Sequence, residues 1–395
     1  MKVLHVITAL NVGGAETMLA KLLECDGGAV NGIAHEVLSL MRPGSMAARI
    51  ERTGTPLGTL DMIRAVPLPS HMMRLRRAVR ASRPDIVMGW MYHGQLAATA
   101  AAAMAPAHPP VIWNVRHSLD TIRQEKRATR FILRLGALLS RTPRAIIYNS
   151  KASARHYRAI GFSDARAIVI PNGFDCDLFR PDPEARERLA RMFDIDRHAM
   201  IVGMIARAHP MKDPATLVEA VHRARRAGAD IHLLIAGTGM GEPPPPLAQA
   251  LAALPSDRLT LLGHRTDMAS LLPGFDVLAL PSAWGEGFPN IVGEAMASGV
   301  PCVATDVGDS GWIIGDTGFT VPARAAGAMA QALLSLERMG ADARAGLGAA
   351  ARARVEKHFP LSEVAERYAK LCRDVVAERA PREEAAALDD AARAT

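Results

Sequence analysis

The chain reads as an α/β protein made of two doubly wound domains, and three observations carry that reading. Short apolar runs alternate with helical stretches along its whole length. Its 395 residues exceed most single domains, so a division into two of roughly 170–200 residues is natural. A Pro-, Gly- and Asp-rich break, IPNGFDCDLFRPDP at 170–183, lies near the middle.

Composition narrows the class. A hydrophobic content of 49% is ample for two packed cores. No apolar run reaches the roughly 20 residues that cross a bilayer, and the Ala-rich run at 96–107 reads as a buried helix. Met1-Lys2 leads straight into a strand, leaving no room for a signal peptide. Cys25, Cys176, Cys302 and Cys372 are scattered without metal-like spacing, so we expect free thiols in a reducing cytoplasm. Residues 1–175 hold 23 Lys and Arg against 11 Asp and Glu, a net +12, and the remainder carries −5 of the total +7. The first half therefore suits an anionic partner.

The first strand, KVLHVIT at 2–8, is almost continuously apolar, as a parallel strand buried on both faces must be. Asn11-Val12-Gly13-Gly14 turns the chain, and a helix opens at Ala15-Glu16-Thr17. Such a turn lets backbone amides approach a phosphate or sugar, though it lacks the G-x-G-x-x-G dinucleotide pattern. Further strands are expected at 35–40, 85–89, 111–115, 145–149 and 167–170. Between Arg64 and Arg83 lie six arginines and no acid. A second basic helix, 123–144, interleaves Arg and Lys with Ile122, Phe131, Ile132, Leu135 and Leu138. Basic amphipathic helices suit an anionic membrane surface, and a merely solvated basic face is the alternative. Nucleic acid is disfavoured, because 4% aromatic content gives little stacking surface. Past the strand at 111–115 come Arg116, able to pair with an anion, and His117, able to donate or accept near neutral pH.

The second half repeats the rhythm, with strands expected at 200–206, 231–237, 259–263, 277–280 and 300–305. Arg207 and Lys212 follow the first of these, ahead of a helix at Pro214. Two fixed cations can neutralise a diphosphate leaving group as its charge develops. Gly237, in the turn AGTG at 236–239, can face a nucleotide, and PPPP at 243–246 is expected to be a loop or a polyproline segment. The segment 280–306, LPSAWGEGFPNIVGEAMASGVPCVATD, is strand end, loop, helix and strand. We expect Asn290 to cap that helix with Pro289 in its opening turn, and Gly299 to end it in a left-handed conformation. Amides near Gly287 and Phe288 favour phosphate oxygens, whereas Glu286 and Glu294, with seven residues between them, suit sugar and ribose hydroxyls.

These segments together resemble the retaining glycosyltransferases of family 4, which have the GT-B fold of two Rossmann-like domains. The resemblance is strong over 200–310 and looser before it. Ala206 and Ala208 stand where the family usually has Gly and Leu around its Arg, which leaves the charges in place. It implies a sugar transfer from a nucleotide-diphosphate sugar, UDP favoured and GDP possible, with no cofactor and no metal. Arg207 and Lys212 would stabilise the departing diphosphate, Glu286 would hold the sugar and Glu294 the ribose. His117 would lie beside the reacting sugar, with Gly14 at the donor pyrophosphate. The segment of Arg265 would read the base, and Gly287, Phe288, Pro289 and Asn290 would receive the phosphates. The resemblance also implies domains at 1–173 (acceptor) and 174–358 (donor), facing across a cleft. A helix at 359–379 would cross back to the first domain, and a disordered tail would fill 380–395. The acceptor would be a glycan or lipid-linked intermediate of surface polysaccharide assembly, at the inner face of the cytoplasmic membrane. The competing readings are a non-catalytic nucleotide-sugar or glycan-binding subunit and a non-hydrolysing epimerase of the same fold. The epimerase lacks this Arg-Lys and Glu-Glu set.

Overall fold

The computed structural model describes residues 1–26, 32–63, 68–119, 122 and 125–378. Arg64, Arg123 and the expected tail at 380–395 fall outside them. The chain divides into two compact units, Met1–Gly173 with the chain from Leu361 onward, and Phe174–Pro360.

The first unit has seven parallel strands: β1 (Lys2–Ile7), β2 (Ala34–Met41), β3 (Leu57–Met62), β4 (Ile86–Trp90), β5 (Val111–Val115), β6 (Ala145–Tyr148) and β7 (Ala167–Val169). They lie in the order β3-β2-β1-β4-β5-β6-β7. β1 feeds a core on each face of the sheet. Val3 and Ile7 pack with the helix Gly14–Asp26, and Leu4 and Val6 pack with the helices Pro69–Ser82 and Met91–Met104. The helix Leu361–Ala377 joins the first of these cores through Val364, Tyr368, Cys372 and Val375. The order reverses at β1, whose neighbours are β2 and β4. In a doubly wound sheet the carboxyl ends at that reversal form the natural binding crevice.

The second unit has six parallel strands: β8 (Met200–Ile205), β9 (Ile231–Ala236), β10 (Leu259–Leu262), β11 (Val277–Leu280), β12 (Cys302–Thr305) and β13 (Phe319–Val321). Their order is β10-β9-β8-β11-β12-β13, so the reversal falls between β8 and β11, paired through Val277 and Val202. Met200, Val202 and Met204 face one core and Ile201 the other.

Two strands escape the sequence reading. β3 and β13 are edge strands, and their sequences LGTLDM and FTV mix polar with apolar residues. An edge strand faces water on one side and loses the continuous apolar signature. Where a C-terminal helix was expected at 359–379, a helix spans Leu361–Ala377, and a separate helix, Gly340–His358, ends just before it at Phe359-Pro360. No described helix is long and apolar enough to cross a membrane.

Candidate active site

In the second unit the charged residues gather at the carboxyl ends of the two strands that flank the reversal. β8 ends at Ile205, and Arg207 stands two residues beyond it, exposed and without an ion pair among the described residues. A single 3-10 turn, Pro210–Lys212, brings Lys212 back, and the helix Pro214–Arg226 starts after it. β11 ends at Leu280, and the loop after it carries Ser282 and Glu286. The two loops are stitched by the amide of Ala283, which donates to the carbonyl of Met211 at 2.8 Å.

That stitch places Lys212 and Glu286 together. The Lys212 ammonium pairs with Glu286 Oε1, and the Ser282 hydroxyl donates to the same oxygen. The Glu286 side chain is 8% exposed and that of Lys212 17% exposed. A carboxylate this buried is stabilised only when charge and hydrogen bonds satisfy it. The sequence reading gave Lys212 and Glu286 separate partners and passed over Ser282. The structure makes the three one cluster.

The loop is locked from the other side. A β-carbon at Gly308 would lie 2.3 Å from the Glu286 carbonyl, and the Asp309 amide donates to the Gly287 carbonyl at 2.8 Å. The Phe288 side chain is buried, its ring 6.0 Å from Phe174, 5.6 Å from Trp312 and 5.4 Å from Phe359. Only its backbone is left for a ligand. The helix is Asn290–Ala297 with Pro289 at the cap position, the reverse of the expected order. Asn290 lies in the first turn, because the ring of Pro289 holds the extended dihedral that a cap needs (φ −69, ψ 110). Glu294, half-buried, lies one turn further along, and Gly299 has φ +78 as expected.

Gly237 follows β9, where a β-carbon would meet the Ala206 carbonyl at 2.0 Å and φ is +139. Its glycine is therefore demanded by the backbones that leave β8 and β9. Arg265 follows β10 and forks onto Asp267.

In the first unit, Gly14 follows β1 and opens its helix. A β-carbon there would meet nothing within 4 Å. Glu16 folds back over Gly13, and burial raises its pKa. His117 lies two residues beyond β5, and the Tyr92 hydroxyl lies 2.6 Å from its Nδ1. Met91, between β4 and Tyr92, has φ +60, a conformation costly for a side chain with a β-carbon. Sequence reasoning missed Tyr92, whose one signal was an aromatic at a strand–helix junction. Arg116, expected to meet an anion, is buried instead. It donates to Tyr368 Oη at 3.0 Å and to Asn172 Oδ1, and lies over Trp90 with 5.9 Å to the ring centroid. Desolvation lowers its pKa. No group of three or more His, Cys, Asp or Glu among the described residues is arranged to hold a metal ion.

Comparison with known proteins follows the division into units. Residues 12–178 match the family profile described as Glycosyltransferase Family 4, and residues 199–338 match Glycosyl transferases group 1. The putative glycosyltransferase EpsF of Bacillus subtilis is 30% identical over 319 residues, covering 77% of this chain and 79% of that one. The UDP-Gal:alpha-D-GlcNAc-diphosphoundecaprenol alpha-1,3-galactosyltransferase of Escherichia coli is 28% identical over 148 residues, covering 37% and 38%. Anabaena Alr3699/HepE in complex with UDP superposes with a TM-score of 0.81 at 20% identity, covering 95% of this chain and 100% of that one. Its complex with UDP-glucose gives 0.76, at the same identity and coverage.

Proposed function

This chain belongs to the glycosyltransferases of group 1 and family 4, and we propose that it moves a sugar from a UDP-sugar to a lipid-linked glycan. The observation that carries the donor side is the Lys212–Glu286–Ser282 cluster at the carboxyl ends of β8 and β11. Lys212 and Arg207 meet the diphosphate, Glu286 holds the transferred sugar and Glu294 the ribose. Amides of Gly287, Phe288 and Asn290 receive phosphate oxygens, with Pro289 fixing their direction. Gly237 and Arg265 border the nucleotide; His117, which the family resemblance puts beside the reacting sugar, and Gly14, which it puts at the donor pyrophosphate, belong to the first unit. UDP is favoured because HepE binds it on the same fold. A lipid-linked acceptor is favoured by the E. coli relative's substrate and by the net positive charge of the first half. Surface polysaccharide assembly, at the inner face of the cytoplasmic membrane, is the setting these features suit.

In the proposed step the bond from the anomeric carbon to the diphosphate oxygen breaks. An acceptor hydroxyl forms its bond on the same face, and its proton passes to the departing diphosphate. Retention follows from that geometry. Lys212 stabilises charge that is greatest as the diphosphate leaves, so its contribution is to the transition state. The test is a thermal-shift panel of UDP-, GDP- and ADP-sugars. A donor at 100-fold excess over its Kd adds about 2.7 kcal/mol of stability, and proton NMR of the product reads the anomeric configuration. A response to none of the UDP-sugars, or an inverted product, overturns the corresponding part.

A further inference from the structure

The first unit contains a cavity that the donor chemistry does not use. It has a volume of about 380 Å³ and lies between three helices, Pro69–Ser82, Met91–Met104 and Arg127–Leu139, and the strands β2 and β3. Its lining is almost wholly apolar, with Leu60, Met72, Leu75, Leu96, Ile132 and Leu135 prominent. At its edge Phe131 is 69% exposed, and Leu138, one turn beyond Leu135, is 78% exposed. A soluble surface rarely leaves such residues beside an open apolar hollow without a ligand.

Charge identifies the ligand's other end. The three helices carry seven arginines and not one carboxylate. Arg74 is spent on Asp61 and the Leu60 carbonyl. Arg76 lies one turn from Met72, while Arg127 and Arg134 lie one turn on either side of Phe131, so cations rim the apolar mouth. The remaining polar members of the wall are His71 and His93. Burial holds the His93 pKa down, which keeps that imidazole uncharged near neutral pH.

The cavity also adjoins the reacting end of the unit. His93 lines it, and Tyr92, the preceding residue, touches His117. We propose that this cavity binds the hydrocarbon chain of a phosphorylated lipid acceptor, with the phosphate held at the arginine rim. The inference rests on the lipid-linked acceptor reading above and adds where the chain goes.

The test uses the full chain and farnesyl phosphate, titrated calorimetrically beside inorganic phosphate. Farnesyl phosphate should bind saturably and phosphate alone should not. Ala100→Trp fills the cavity, and Phe131→Ser strips its edge without touching the buried core. Each should weaken farnesyl phosphate roughly ten-fold, as losing about two buried methylenes does, while UDP binding stays intact. If Ala100→Trp does not fold, Phe131→Ser decides alone. Equal affinity for phosphate and farnesyl phosphate, or affinity unchanged in the variants, overturns the proposal. So does binding to phosphatidylglycerol vesicles without binding to monomeric farnesyl phosphate, which would make the face a bilayer contact. A dimer dissociated by Phe131→Ser, again without farnesyl phosphate binding, would assign the face to a second copy. The two levels fail separately: equal use of lipid-free and lipid-linked acceptors by the wild type removes the acceptor class, whatever farnesyl phosphate does.

Discussion

The Tyr92 hydroxyl lies 2.6 Å from His117 Nδ1, and it is the backbone of Met91 at φ +60 that aims it there. Burial raises the Tyr92 pKa, so the phenol is neutral at any working pH. A neutral phenol bonded to Nδ1 fixes the ring's orientation. Tyr92→Phe should lower kcat/KM roughly five- to ten-fold, the worth of one hydrogen bond. It should also move the pH–rate profile while leaving the melting temperature nearly unchanged. An unmoved profile would reduce Tyr92 to packing.

The Lys212–Glu286 pair gives a prediction with two signs. Without substrate each charge neutralises the other, so in the proposed reaction the diphosphate competes with Glu286 for Lys212. Glu286→Gln keeps an oxygen for the Ser282 hydroxyl but releases the ammonium. UDP affinity should rise, because the ammonium no longer has to leave a buried partner, while transfer falls about 10²–10³-fold. Calorimetry with UDP and a transfer assay read the two separately. Tighter UDP binding with undiminished turnover would remove Glu286 from the sugar.

Two glycines should behave oppositely. Gly237→Ala drives a β-carbon to 2.0 Å from the Ala206 carbonyl, at a backbone angle that side chains avoid. It should destabilise the protein by roughly 2 kcal/mol or more, measured by urea unfolding. Gly14→Ala meets open space at a helix start. Stability should hold or rise by a few tenths of a kcal/mol, so any loss of transfer would report a ligand at that turn. A Gly14→Ala variant with full activity would take Gly14 out of the site.

His5 makes the first unit sensitive to acid. Trp90 Nε1–H donates to His5 Nδ1 at 3.1 Å, so the His5 proton sits on Nε2 and is given to His35 Nδ1 at 3.0 Å. Burial, and then the charge of His35, lower the His5 pKa well below its ordinary 6.5. The unfolded chain therefore takes up this proton first as pH falls. The stabilisation is complete above about pH 6.5 and shrinks below it, by at most about 1.4 kcal/mol per pH unit per proton. Unfolding free energies at pH 7.5 and 5.5 should differ more in the wild type than in His5→Phe. Equal differences would assign the acid sensitivity to other groups, such as His232, whose pKa burial also lowers.

What was legible in the sequence is what depends on local pattern. The buried strands showed as apolar runs, with Arg207, Lys212 and Glu286 as charges in the loops that follow them and Glu294 in the helix after the last of those loops. What was hidden depends on contacts distant in sequence. Ser282 is a hydroxyl after a proline until Lys212, seventy residues earlier, is brought to the same carboxylate. Phe288 lay in the right loop, but no pattern says that its ring turns inward against Phe174, Trp312 and Phe359. Arg116 looked like an anion site because a buried arginine satisfied by a tyrosine and an asparagine leaves no mark in one dimension. The apolar cavity needed three helices and two strands at once, each of which alone reads as ordinary core.

Arg116 also bears on how the chain matures during synthesis. It grips Asn172, just before the chain leaves the first unit, and Tyr368, on the helix that returns to it. Phe174–Pro360, by contrast, is one uninterrupted stretch. The usual order of birth is thereby reversed. The later-made unit can close as it emerges from the ribosome, while the core of the earlier-made one lacks Val364, Cys372 and Val375 until their helix arrives.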